Sequence, residues 1–138
     1  MLPLAASVYG ATPAFRAPSP PAPVVLKANG GWCWIQDERV VVTGGKLIFG
    51  TVAGCDRAGR AAGDIEVTAH DLRTRRTEFA TLHPRFQTDD HNVPALLVLP
   101  DGRILATYQS HGQTKGFVGP DIMRWRRTLR PNDISLWS

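Results

Sequence analysis

Apolar residues in this chain come in short runs rich in Val, Ile, Leu, Phe and Thr, and a turn signal cuts each run. ERVVV (38–42) stops at TGG (43–45), and KLIFGTVAG (46–54) follows. A Gly- and Arg-rich loop (54–63) leads into DIEVTAHDL (64–72), and RTRR then turns the chain towards TEFATLH (77–83). PALLVLP (94–100) meets DG (101–102) before RILATYQS (103–110), and IMRWRRTL (122–129) is the last such run. No stretch carries the 3.6-residue period of an amphipathic helix. The bounded, alternating runs predict strands joined by hairpins. GG and DG are the strongest hairpin markers, because both place positive-φ residues in a tight turn at little cost. Alternation puts Met123, Trp125 and Leu129 on one face, read as core, and Arg124 and Arg126 on the other, read as solvated.

The pattern also repeats. At a shift of 57 residues, VVTGGKLIFGT (41–51) falls on VLPDGRILATY (98–108), GDIEVT (63–68) on PDIMRW (120–125), and Leu72 on Leu129. Two separated matches at one shift imply two copies of a unit of about four strands, the sequence sign of β-propeller blades. A meander of similar hairpins is the plainer alternative. The expected fold is therefore all-β: a partial β-propeller of about two four-stranded antiparallel blades. A propeller closes with roughly 4–8 blades, and two alone leave sheet faces and edges uncovered. RPNDISLWS (130–138) ends the sequence where a fourth strand of the second copy is due. Closure is expected to come from further C-terminal blades of a longer protein or from self-association.

The region before the repeats is of another kind. APSPPAP (17–23) is a proline-rich extended tether, and MLPLAASVYGATPAFRA (1–17) has the small residues of a signal-peptide remnant without its basic start. Residues 1–23 are thus read as tether and 24–138 as the propeller portion. An extracellular or periplasmic location fits this reading. A net charge of +4 and a pI near 9.6 favour an anionic partner without choosing one. No nucleic-acid motif accompanies the charge, and no apolar run approaches the ~20 residues of a membrane span, so neither partner is expected. Cys33 and Cys55 belong to no CxxC pair and read as buried thiols or as one bridge.

QTDDHNVP (87–94) holds the candidate chemistry, together with SHG (110–112) one hairpin later. In an antiparallel pair the start of one strand lies beside the end of the next, so His91 and His111 should converge at one end of the second unit. Asp89 and Asp90 can orient the imidazoles or hold the loop through Asx-type hydrogen bonds, while Asn92 shapes the approach to the strand. The plain alternatives are a turn histidine at 91 and a polar residue before the Gly112 turn at 111. His70 and His83 read as strand residues. Asp89, Asp90, His91 and His111 could ligate a metal, but their spacing matches no zinc pattern, and neither metal nor other cofactor is expected. Trp32, Trp34, Trp125 and Trp137 could stack on sugars or simply fill the core.

NGGWCWIQDERVVV (29–42), GGKLIFGTVA (44–53), GDIEVTAHDL (63–72), QTDDHNVPALLVLPDGRILATYQSHG (87–112) and MRWRRTLRPNDISLW (123–137) resemble the start of BNR-repeat, sialidase-like propeller proteins. Within that group the likeness is greatest to the branch that includes ulvan lyases. The resemblance implies a seven-bladed propeller and β-elimination in a uronic-acid-containing sulfated polysaccharide, with His91 and His111 as the catalytic pair. Asp90, Asn92, Lys115 and Arg124 are the expected substrate contacts. The family's tyrosine has no counterpart, since Tyr108 lies in the wrong segment, and this chain alone is expected to be inactive. A non-catalytic carbohydrate-binding propeller and a sialidase-like glycoside hydrolase are the alternatives. The hydrolase needs carboxylates roughly 5–9.5 Å apart across a sugar, which the adjacent Asp89 and Asp90 do not offer.

Overall fold

The computed structural model describes residues 19–33, 38–54, 62–112 and 123–138. Lys115, Trp34, Cys55 and residues 1–18, which include the start of the proline-rich tether, lie outside these residues. Nine strands form among the described residues: β1 (Gly30–Gly31), β2 (Val40–Thr43), β3 (Lys46–Ala53), β4 (Ile65–Asp71), β5 (Thr77–His83), β6 (Ala95–Val98), β7 (Ile104–Tyr108), β8 (Arg124–Arg130) and β9 (Asp133–Trp137). A single 3₁₀ turn, Asp90–Asn92, precedes β6. All pairing is antiparallel, in two sheets. The first runs β2–β3–β4–β5, with β1 beside the far end of β3 on the edge that β2 also uses. The second runs β6–β7–β8–β9. The expectation of an all-β chain holds for the described residues.

The fourth strand due in the second unit is present: Pro131 and Asn132 form a two-residue turn, and Asp133–Trp137 returns along β8. Asn132 takes φ 54°, a left-handed conformation that Asn tolerates better than most residues. The Trp137 indole N–H then donates to the Ile134 carbonyl at 2.7 Å.

The core lies between the sheets. Ile48, Val52, Ile65 and Val67 from the first meet Leu96, Ile104, Ala106 and Ile134 from the second. Burying each branched side chain of this size contributes about 1.5–3 kcal/mol. Gly50 lies in this interface, where a Cβ would stand 2.6 Å from Pro94 Cγ and 2.8 Å from the Pro94 carbonyl oxygen. The sheets are also joined at one corner. Thr43 Oγ1 donates to Asn132 Oδ1 at 2.7 Å, and the Asn132 side chain occupies the space that a Cβ on Gly44 would need.

The repeat has a structural counterpart. Gly45 (φ 74°) and Gly102 (φ 78°) close the two hairpins. Each glycine carbonyl accepts a main-chain N–H at 3.0 Å from the turn after the third strand, Leu72 in one sheet and Asn132 in the other. Ile48 pairs with Ala69, whereas Leu105, 57 residues after Ile48, pairs with Arg127, 58 residues after Ala69. The shift of 57 therefore holds through the first hairpin and slips by one residue in the third strand.

The assignment of the Trp125 face on β8 is corrected. Met123, Trp125 and Leu129 do share a face, but it is exposed rather than core. Arg124 and Arg126 pair with Tyr108 and Ala106; Arg126 is exposed, as expected of a solvated face, whereas Arg124 is half-buried.

Candidate active site

The described candidate groups gather where β5 and β7 end and β6 begins. Asp89 caps the 3₁₀ turn: its Oδ1 accepts the His91 main-chain N–H at 2.9 Å and lies 2.8 Å from His91 Nδ1. Its Oδ2 lies 3.1 Å from His111 Nδ1. One carboxylate thus holds two imidazoles, whose ring centroids are 4.2 Å apart at a 30° tilt. Asp90 adds an oxygen 3.2 Å from His91 Nδ1 and otherwise projects outwards. The expected convergence of His91 and His111 is thereby observed.

Electrostatics fix the proton positions. Partial burial pushes the Asp89 carboxyl up, but the main-chain and ring N–H groups of His91 and the His111 ring outweigh it and hold the group below the ordinary carboxylate value. Asp89 is therefore ionised at neutral pH, and an ionised carboxylate only accepts hydrogen bonds. Both Nδ1 atoms must then carry hydrogen, which leaves the Nε2 lone pairs of the neutral rings free for proton transfer.

Gln87, which the sequence did not single out, organises this corner. Its Oε1 accepts the His111 main-chain N–H at 3.0 Å and the Asn92 Nδ2 amide at 2.7 Å, while its Nε2 donates to the His111 carbonyl at 3.2 Å. One side chain thus clamps the backbone of the second histidine to the turn that carries the first. Asn92 is fully buried and serves Gln87, which corrects its expected role as a substrate contact. Behind the clamp, Phe86 and Gln87 donate main-chain N–H groups to the Gly63 carbonyl at 2.8 and 3.3 Å. Gly63 sits at φ 89°, with the Gln87 backbone where a Cβ would go. Gln87→Ala strips partners from both ends of the His111 peptide and from a buried amide. It is expected to cost about 1–3 kcal/mol in urea unfolding and to abolish the ring-to-ring NOEs between His91 and His111.

His91 borders an open cleft of about 450 Å³ formed with Gly31, Ala53, Gly54, Thr88 and Asp90. His111 is not part of that lining and stands at the rim, half-exposed. Among the described residues no lysine or arginine lines the cleft. No protein-family model and no curated protein matches this chain.

The other candidates sit apart from this pair. The Arg124 guanidinium lies over the Phe86 ring, 5.4 Å from its centroid. Tyr108 is buried, and its ring meets His83 at 6.0 Å and Phe86 at 5.6 Å. Burial, with the charges of Arg124 and Arg126, holds the His83 imidazole below its ordinary value, as befits a packed neutral ring. His70 is buried with Nδ1 2.8 Å from Thr77 Oγ1, a structural strand residue as expected. Cys33 is a buried free thiol. Asp89, His91 and His111 also place ligand atoms within 4.8 Å of one another, a two-nitrogen, one-oxygen set able to hold a divalent ion. Such an ion would displace the Nδ1 hydrogens that now bind the carboxylate.

Proposed function

We propose that the two sheets are successive blades of a propeller resembling the BNR-repeat, ulvan-lyase branch, and that His91 and His111 carry out β-elimination on a uronic-acid-containing anionic polysaccharide. The observation that supports this reading is the pair of adjacent imidazoles whose Nδ1 atoms are both engaged by Asp89. Elimination needs a base at the proton alpha to the uronate carboxyl and an acid at the 4-linked oxygen, and histidine can serve as either near neutral pH. His91, which borders the cleft, takes the C5 proton on Nε2. The C5–H electron pair becomes the C4=C5 double bond, the C4–O bond breaks, and protonated His111 delivers its Nε2 proton to the departing oxygen. Exchange with water returns the pair to its starting state. A protonated imidazole also supplies positive charge beside the substrate carboxylate, where charge accumulates during proton removal. Asp90 and, from outside the described residues, Lys115 are the substrate contacts of this reading, with Arg124 further along β8.

The test is to incubate the protein with its propeller completed, by further C-terminal blades or by self-association, with ulvan and to follow the absorbance of the 4,5-unsaturated uronate, with and without EDTA. Product formation that survives EDTA and disappears in His91→Ala is expected. Undiminished product from His91→Ala would sink the assignment of the base. Loss on chelation, restored by a divalent ion, would instead favour metal chemistry at the same three side chains.

A further inference from the structure

The two sheets do not pack face to face as mirror partners. In the first, the buried interface is built by Ile48 and Gly50 of β3 with their neighbours Ala69 and Val67 of β4. With Gly45 and Gly102 as equivalent hairpin ends, the counterparts in the second sheet are Leu105 and Thr107, with neighbours Arg127 and Trp125. Those four residues lie on the outer side, where with Leu99 and Met123 they line an open apolar groove of about 440 Å³. Conversely, Ile104 and Ala106 face the core, while their counterparts Leu47 and Phe49 lie on the outer side of the first sheet, in cross-strand rows with Val42 and Val40. The stacking is front to back. The second sheet exposes the same kind of face with which the first sheet grips it.

Both outer faces carry exposed apolar side chains, although the first also holds Thr68 and His70 in its rows and has the Lys27 ammonium 4.2 Å from the Phe79 ring centroid. Trp125 is 61% and Leu97 57% exposed on the second sheet, and Val42 is 65% and Phe79 59% exposed on the first. Leu97 pairs with Leu105, and Phe79 lies across β4 from Phe49, so each belongs to the face named. Large apolar side chains exposed together on one face mark an interaction site. A front-to-back contact can recur between molecules, because every copy carries one face of each kind.

We propose that a second copy of this chain is the occupant: the outer face of its first sheet docks on the Trp125 face of the second sheet, extending the intramolecular stack from copy to copy until a ring closes. This rests on the reading of each sheet as a blade and is independent of the histidine chemistry. Sedimentation equilibrium of the 138-residue chain should show concentration-dependent association beyond a dimer. Trp125→Glu, which spoils the front, and Val42→Glu/Phe79→Glu, which spoils the back, should each be monomeric. Mixed in equal amounts they should form a 1:1 heterodimer and nothing larger, since each retains the face the other lacks. Circular dichroism and melting establish that the variants fold, and Leu97→Lys replaces Trp125→Glu if the latter does not. A wild type that stays monomeric overturns the proposal and leaves the lyase reading standing. A homodimer of Val42→Glu/Phe79→Glu overturns it as well, because it would mean that two Trp125 faces pair with each other.

Discussion

Asp89→Asn is expected to slow elimination by about 10²–10⁴-fold, close to the loss from removing His91, although Asp89 never touches the sugar in this mechanism. The carboxylate accepts from two imidazoles at once. The amide that replaces it has a single acceptor oxygen and presents an NH₂ group to the other ring. That ring must turn away or move its hydrogen to Nε2, and either change removes a proton-transfer atom from its place. Asp89 is thus a positioning residue. The distinguishing readout is a fall in kcat with little change in KM, together with a switch of tautomer in the ¹⁵N spectrum of one histidine. An equal loss of both rings from the folded protein, or an unchanged kcat, would count against it. The same carboxyl gives a pH signature. Its folded pKa is below the ordinary carboxyl value of 3.8, so its contribution to stability is present above that value and lost as pH falls below it, through the lower folded pKa. Amide exchange at His91 should therefore accelerate in that acid range in the wild type, without a corresponding step in Asp89→Asn.

Gly50→Val should be the most damaging single change to the fold. A Cβ there already meets Pro94 at 2.6 Å, and the contact at 2.8 Å is with the Pro94 carbonyl oxygen, which belongs to the backbone and cannot swing aside. Two further methyl groups would have to enter a gap that does not accommodate the first carbon. The sheets must then separate or the chain before β6 must shift, and overpacking of this sort costs about 1–3 kcal/mol and at times more. Pro94 follows the 3₁₀ turn closely, so the displacement should reach His91. The expected result is a lower urea midpoint with altered His91 and His111 resonances. A variant as stable as the wild type would mean that the sheets are not in close contact at this point.

The sequence made some of this legible and hid the rest for identifiable reasons. Thr77–His83 was read to its observed limits, because alternation bounded by a basic turn is a local signal. The closeness of His91 and His111 followed from hairpin geometry alone. Alternation on β8 grouped Trp125 with Met123 and Leu129, but it says only which residues share a side. Which side faces inwards depends on the neighbouring sheet, and there the usual preference of tryptophan for the core misled. The repeat called for a fourth strand near 130–138 but did not delimit β9; the turn that starts it, a proline followed by an asparagine tolerant of positive φ, carries no glycine to mark it. Gln87 had no local signature. Its clamp spans 24 residues to His111, and a polar side chain that pairs with a distant main chain leaves no periodicity. Asn92 was placed in the right turn, but its burial could not be inferred from a segment so rich in acids.

The Thr43–Asn132 corner sets an order of events in folding. The four-stranded run in each sheet pairs strands adjacent in sequence, so its pairs close loops far shorter than the separation across the corner and at smaller entropic penalty. The corner instead ties residues 89 positions apart, and it can close only when β2 and the β8–β9 turn both exist. Docking of one sheet on the other should therefore come last, leaving an interval in which two finished ribbons expose their inner sides. In that interval the chain is most prone to capture by a neighbour, and its yield on refolding should fall as concentration rises.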